Sequence, residues 1–469
     1  MRLKPTYIQH PDPELNGNPL TEAIQPILYR DEIERLINFT PQFSKNVHEL
    51  HRIYKNTNVR RISEIYVAPP ICTTLYEKLI ELILDGYRYR NPLEKRMTRF
   101  LFELADRGRI VAEENKNLRP GEKKKQVHKI IPPGLTTAPG SVLSGPSGTG
   151  KTSATRAVLG IIPQVFSHAG YLEHGSFQQD QIVWISFDAP VTASPKALCL
   201  NFMLAVDTAL GEKRYYPEFK DRIRGTSMDI FIAKVQEIAA NHYIGLVHFD
   251  EMQFFLKYST VENAPNLQMV EAMFNKIGVP VLFTTTEAGL LLIDENEQTA
   301  RRIVSEQKFY LEPLKYDSKS FTKFVDAVFL PEVWGEDNIL ENRKEFIKRF
   351  HYLSAGLQAV MIRLARLHLS YCVTLEKDPF DIVQLDKVFN SQFEYMIKSL
   401  DYLRTKNKND YEKNIKRTRS GRVSWCSDDI VSSDTNPENR EIVEISPPSN
   451  PMTSEPRQNF HNPDLIGGL

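Results

Sequence analysis

The residues best equipped for chemistry lie in one short run, Gly145-Pro146-Ser147-Gly148-Thr149-Gly150-Lys151-Thr152-Ser153. The spacing of Gly145, Gly150, Lys151 and Thr152 fits GxxxxGK[ST], the pattern of a phosphate-binding loop. Each residue type has a task there. Glycines let successive backbone N–H groups curl around a β-phosphate, Lys151 can bridge β- and γ-phosphates, and the Thr152 hydroxyl can complete a Mg2+ shell. A helix opening at the lysine adds the positive end of its dipole to the same anion. The apolar pair Val142-Leu143 precedes the loop and the helix-compatible Ala154-Thr155-Arg156-Ala157-Val158-Leu159 follows it. The motif therefore stands at the strand-to-helix junction that it requires.

Further along, Ile244-Gly245-Leu246-Val247-His248-Phe249-Asp250-Glu251 reads as an apolar strand ending in adjacent carboxylates. Asp250 can hold Mg2+ through its water shell, and Glu251 can polarise the water that attacks a γ-phosphate. The pair favours nucleotide hydrolysis. Guanine specificity is not expected, because Asn275-Lys276 is followed by Ile277-Gly278 and lacks the acidic residue of an NKxD motif. Val279-Pro280-Val281-Leu282-Phe283 ends in Thr284-Thr285-Thr286, which puts hydroxyls at the carboxyl edge of a sheet. Thr286 is the candidate γ-phosphate sensor, with Thr284 and Thr285 as open alternatives. Ala300-Arg301-Arg302 precedes the last apolar run; either arginine can be a finger for a neighbouring subunit's γ-phosphate, or both can be surface residues at a helix end. His248, inside its apolar strand, reads as a packed core histidine rather than a base.

Elements able to position these residues are legible around them. From 140 to about 312 strand and helix patterns alternate, which predicts an α/β fold with a five-stranded parallel sheet. The expected strands are Ser141–Ser144, Ile182–Phe187, Gly245–Asp250, Val279–Thr284 and Lys308–Leu311. Ser194-Pro195 supplies an N-cap and first-turn proline for a helix ending at Gly211. The whole chain divides into a docking arm at 1–30, a helical N-terminal region at 31–134 that ends in a basic linker, the α/β core at 135–315, a helical lid at 316–403 and a charged tail at 404–469. In the tail, residues 404–422 hold eight Lys/Arg against two acids, and 423–469 hold eight acids against two Arg. That split suits contacts with macromolecules or a solvated tail.

Composition narrows the class. The chain has 469 residues with formal net charge zero, 41% hydrophobic and 25% charged residues, ordinary for a globular protein with a sizeable core. No apolar run approaches the length needed to cross a bilayer, and no apolar stretch follows Met1-Arg2-Leu3-Lys4-Pro5, so neither a membrane span nor a secretion signal is expected. Cys72, Cys199, Cys372 and Cys426 are scattered, which argues against structural zinc and for a reducing compartment.

Together these motifs resemble those of the AAA+ ATPases, and more specifically the TnsC-type regulators of cut-and-paste bacterial transposons, related to the MuB and TniB proteins. The likeness rests on Gly145–Thr152, Cys199–Gly211, Asp250-Glu251-Met252-Gln253, Ile277–Val281 and Ala300–Arg302, and outside the core on Asn18–Ala23 and Gly86–Pro92. It implies an AAA+ P-loop core under a helical lid, with ATP and Mg2+ as cofactors. It further implies a bacterial cytoplasmic homo-oligomer, a hexameric or heptameric ring or a helical filament on double-stranded DNA. Such an assembly is recruited by a target-selection protein, DNA-binding or CRISPR-associated, and activates a TnsA/TnsB-like transposase. Thr192, Ser194 and Lys196 look like DNA phosphate contacts by the same resemblance; their chemistry suits salt-sensitive, sequence-independent binding, and Ser194 equally suits a helix N-cap. The Thr284-Thr285-Thr286-Glu287 end departs from the family's Gly-Thr, and Arg363 and Arg366 are lid candidates for a second sensor. An AAA+ adaptor or helicase loader acting on a protein partner is the alternative, and a scaffold that binds nucleotide without turnover is a third reading, opposed by the intact Asp250-Glu251 pair.

Overall fold

A computed structural model of the protein describes residues 2–24, 26–44, 47–116, 138–172, 174–190, 194–255, 267–294, 297–330, 334 and 340–405. Thr192, Cys426, most of the expected basic linker and the expected tail beyond 405 lie outside the described residues. In chain order the elements begin with β1 (Arg2–Leu3), α1 (Pro19–Glu22), α2 (Arg30–Ile37), α3 (Arg52–Arg61), α4 (Ile71–Arg88) and α5 (Lys95–Lys116). The central region holds β2 (Gly140–Ser144), α6 (Lys151–Gly160), β3 (Val165–Tyr171), β4 (His174–Ile182), β5 (Trp184–Asp188), α7 (Pro195–Leu210), α8 (Tyr215–Lys220) and α9 (Met228–Asn241). It continues through β6 (Leu246–Asp250), α10 (Leu267–Ile277), β7 (Val281–Thr284), α11 (Glu287–Asp294), α12 (Glu297–Ile303) and β8 (Lys308–Tyr310). Helices α13 (Lys319–Val328), α14 (Leu340–Ser354), α15 (Gln358–Leu375), α16 (Ile382–Gln392) and α17 (Ile397–Thr405) follow.

The five expected strands form one all-parallel sheet in the order β5-β6-β7-β2-β8. Every residue of β2, β6 and β7 is buried, as required of parallel strands covered on both faces. On one face, α7, α9 and α10 contribute Phe202, Val235 and Phe274 to a core centred on Phe249. Phe187, Phe255, Phe274 and Phe283 all pack around the Phe249 ring. On the other face lie α4 and α6, with Leu79, Ile83, Val158 and Leu159 buried against Leu143, Leu246 and Leu282.

Two segments singled out by resemblance, Asn18–Ala23 and Gly86–Pro92, meet here. Asn18 caps α1 by accepting from Leu20 N–H at 3.0 Å and donates its Nδ2 to Tyr87 O at 2.9 Å. Tyr87, fully buried, donates its hydroxyl to Tyr243 O at 2.8 Å, and Arg90 donates to Ile244 O at 2.7 Å. These bonds peg α4 to the turn that feeds β6. Gly245 makes the approach possible, since a Cβ there would lie 2.6 Å from the Tyr87 hydroxyl. Leu20, Ala23 and Ile24 are buried in the same cluster, so this part of the first 30 residues packs on its own chain.

The pattern also concealed elements. β3 and β4 form an antiparallel hairpin, and with β1 they make a separate three-stranded sheet. Ser167-His168-Ala169-Gly170 and Gln178-Gln179-Asp180-Gln181 carry few of the β-branched residues by which strands are recognised. The N-terminal helical region is likewise divided: Val47, Val59, Ile62, Ile65 and Val67 join the cluster of α13–α17 rather than that of the sheet. Among the described residues no helix is long and apolar enough to cross a membrane.

Phe249→Ala is expected to lower stability by about 3–5 kcal/mol, the scale of a large cavity in a packed aromatic core. Chemical denaturation checks this, and a loss below about 1 kcal/mol would contradict the described packing.

Candidate active site

The loop between β2 and α6 is shaped by its glycines. Gly145 has φ 153° and Gly150 has φ 92°, the left-handed half of conformational space where a side chain is strained. Space gives the same answer, because a Cβ at Gly145 would lie 2.4 Å from Leu311 O and one at Gly150 2.7 Å from Gln358 Oε1. Ala359, in the first turn of α15, donates its N–H to Gly148 O at 3.1 Å. The loop is thus braced by the segment after β8 and by the amino end of α15. Pro146, Ser147, Thr149 and Ser153 complete it, with Thr149 Oγ1 bonded back to Pro146 O at 2.9 Å.

Lys151 and Thr152 open α6. The buried Lys151 ammonium donates to Gly145 O and Pro146 O, both at 2.9 Å. Burial pulls its pKa down, while the charges of Glu251, Asp250 and Glu287 push it up. Thr152 Oγ1 donates to Asp250 Oδ2 at 2.9 Å, joining residues 98 apart in sequence. Asp250 is buried at the end of β6 and also accepts from Glu251 N–H at 2.8 Å. Two hard oxygens side by side next to a phosphate loop are the donor set Mg2+ takes, with the remainder of its shell from water and phosphate. The residues present therefore fit Mg–nucleotide: Thr152 and Asp250 for the metal, Gly145 to Ser153 for phosphate.

Glu251 follows with φ 58°, a left-handed conformation that turns the chain sharply off β6. Burial raises its pKa, reinforced by Asp250 and Asp188 and opposed by Lys151 and a hydrogen bond from Gln253. A carboxylate raised toward neutrality is a stronger base. Asp188 was not anticipated, although Phe187-Asp188 at the end of β5 repeats Phe249-Asp250 at the end of β6 and pairs with it in register. Burial and Asp250 raise its pKa as well.

The three threonines at the end of β7 divide their partners. Thr284 Oγ1 is bonded to His248 Nε2 at 2.8 Å, and His248 Nδ1 to Ser186 Oγ at 2.8 Å. Burial takes His248 down to about 4, so it is neutral near pH 7, as expected of a core histidine. Thr285 Oγ1 donates to Gln253 Oε1 at 3.3 Å. Thr286 N–H donates to the same oxygen at 3.2 Å, and the Thr286 hydroxyl accepts from Gly289 N–H at 3.4 Å in the first turn of α11.

Other candidates lie apart from this cluster. α12, carrying the exposed Arg301 and Arg302, ends beside the amino end of β2: a Cβ on Gly140 would be 2.1 Å from Ile303 O. The phosphate loop is at the opposite end of that strand. Arg302 pairs with Glu271 at 2.5 Å. Lys196 donates to Ile223 O at 2.7 Å, and Ser194 stands at the N-cap of α7 without a side-chain cap bond. Arg363 bonds the Tyr395 hydroxyl and lies over the Phe393 ring; Arg366, one turn further along α15, is partly exposed. The α15 residues at the loop are Gln358 and Ala359 instead.

Residues 136–293 match the family model of an AAA domain. This segment carries the loop, Asp250, Glu251 and the three threonines. No curated protein matches the chain. Among solved structures, the Walker-type ATPase PABY2304 of Pyrococcus abyssi is 12% identical, with 65% of this chain and 76% of that chain covered at a TM-score of 0.38. The ORC2 protein of Aeropyrum pernix, in its ADPNP-ADP complexes, is 14% identical over 64% of this chain and 68% of that one, TM-score 0.35. The ORC1 protein of Aeropyrum pernix in complex with DNA is 14% identical over 67% and 69%, TM-score 0.36.

In nucleotide titrations Lys151→Ala is expected to weaken ATP binding by about tenfold or more, the scale of one lost charge-assisted hydrogen bond. Asp250→Asn should remove the Mg2+ dependence of affinity. Parental affinity and Mg2+ response in both variants would rule out this placement of the site.

Proposed function

We propose that the protein is an AAA+ ATPase that assembles on double-stranded DNA and links a target-selection factor to a transposase. The observation that carries the hydrolytic part is the meeting of Lys151, Thr152 and Asp250 with a Glu251 whose carboxylate is raised in pKa. The loop's amides and Lys151 hold the phosphates. Glu251 takes a proton from the attacking water; Thr152 and Asp250 would hold Mg2+, which would supply Lewis-acid stabilisation of the phosphate charge. Thr286 or its neighbours read the γ-phosphate at the carboxyl edge of β7.

Arg301 and Arg302 act in trans in this reading. Their helix ends at the amino edge of β2, while their own chain's loop lies at its carboxyl edge, which supports delivery to a neighbouring subunit's nucleotide. Hydrolysis then depends on assembly. The divisions 1–30, 31–134, 135–315, 316–403 and 404–469 are proposed to serve as contact segment, N-terminal region, motor, lid and partner-binding tail. Thr192, Ser194 and Lys196 are proposed DNA contacts. One observation favours the second reading, an adaptor or helicase loader acting on a protein: the Lys196 ammonium is committed to Ile223 O.

Glu251→Gln is expected to lower ATP turnover about a hundredfold or more, the usual contribution of a general base, while ATP still binds. Turnover equal to the parent's would exclude the hydrolytic role. Arg301→Ala and Arg302→Ala are expected to lower turnover only where subunits assemble, with binding retained; electron microscopy with duplex DNA and a non-hydrolysable ATP analogue shows the assembly. Absence of DNA-stimulated assembly, with capture of a replicative helicase, would favour the adaptor reading.

A further inference from the structure

Gln253 lies two residues beyond Glu251 and touches both halves of the site. Its Nε2 donates to Glu251 Oε2. Its Oε1 accepts from Thr285 Oγ1 at 3.3 Å and from Thr286 N–H at 3.2 Å. The amide can face only one way. Flipped, it would set N–H against the Thr286 N–H and oxygen against the Glu251 carboxylate, a donor–donor and an acceptor–acceptor clash. A backbone N–H that cannot change its polarity thus dictates which end of Gln253 meets Glu251.

The far side of this bridge leads back to the phosphate loop. Thr285 N–H donates to Leu143 O at 3.0 Å, on the strand that feeds the loop. Gly289 closes the arrangement from α11: a Cβ there would stand 1.9 Å from Thr285 Oγ1 and 3.1 Å from Gln253 Cβ. Glycine is what lets the helix seat against this pair.

We infer that Gln253 is a positioning residue, whose amide couples the Thr285-Thr286 turn to the orientation of the Glu251 carboxylate and so makes hydrolysis follow the state of that turn. This rests on the reading of Glu251 as the base. A displacement of the Thr286 peptide removes the acceptor-side anchor of Gln253, and the donor that holds Glu251 goes with it.

The experiment measures kcat and KM for the full chain. Gln253→Ala is expected to lower kcat about tenfold through loss of positioning and to leave KM within about twofold. Thr285→Val, of similar volume, should lower kcat by less, and the Gln253→Ala/Thr285→Val double variant should lose no more than Gln253→Ala alone, because both act through one bridge. Losses that multiply in the double variant overturn the coupling and leave Gln253 a packing residue. Parental kcat in Gln253→Ala, with Glu251→Gln inactive, also overturns it while sparing the base. Parental turnover in Glu251→Gln removes the base itself, and with it this inference.

Discussion

The 2.9 Å hydrogen bond between Thr152 and Asp250 exists only because five strands run in the same direction. β2 and β6 are not neighbours; β7 separates them. Parallel order nonetheless delivers the carboxyl ends of all three to one edge, where the phosphate loop, the acidic pair and the threonine turn arise from stretches far apart in sequence. An antiparallel partner anywhere in this trio would send one of those groups to the opposite rim. The buried strands and the Phe249 cluster therefore serve the site by holding direction and register.

The same edge is braced from outside the sheet. Leu311 and Gln358 stand where side chains on Gly145 and Gly150 would have to go, so the segment after β8 and α15 set the shape of the loop as much as its own sequence does. A backbone bond from Ala359 to Gly148 makes the helical region after the sheet a structural part of this loop's frame. On the far edge, Tyr87 and Arg90 tie α4 to the entry of β6.

The loop, the acidic pair and the five strands were legible because each is local: a fixed spacing, an apolar run, a glycine that needs a special conformation. The hairpin of β3 and β4 was not, since its Ser, His, Gly and Gln residues carry no alternation of apolar and polar side chains strong enough to separate strand from loop. Gln253 and Gln358 escaped for another reason, as a glutamine acquires a role only from what folding places beside it. Asp188 could have been found, because the Phe-Asp ending of β5 repeats that of β6. The three hydroxyls at the end of β7 were visible as a group, yet their division among His248, Gln253 and Gly289 depends on strand register and helix approach. Arg363 is a second-sensor candidate through the family resemblance alone; three-dimensional placement sends it to Tyr395 and Phe393.

Glu251 carries a cost of its own. A left-handed backbone at a residue other than glycine costs about 1–2 kcal/mol, and it falls where the fold could be relaxed by a residue with no carboxylate at all. Glycine would relieve this turn but could carry no carboxylate, so resistance to heat and an acid at the end of β6 compete for a single position.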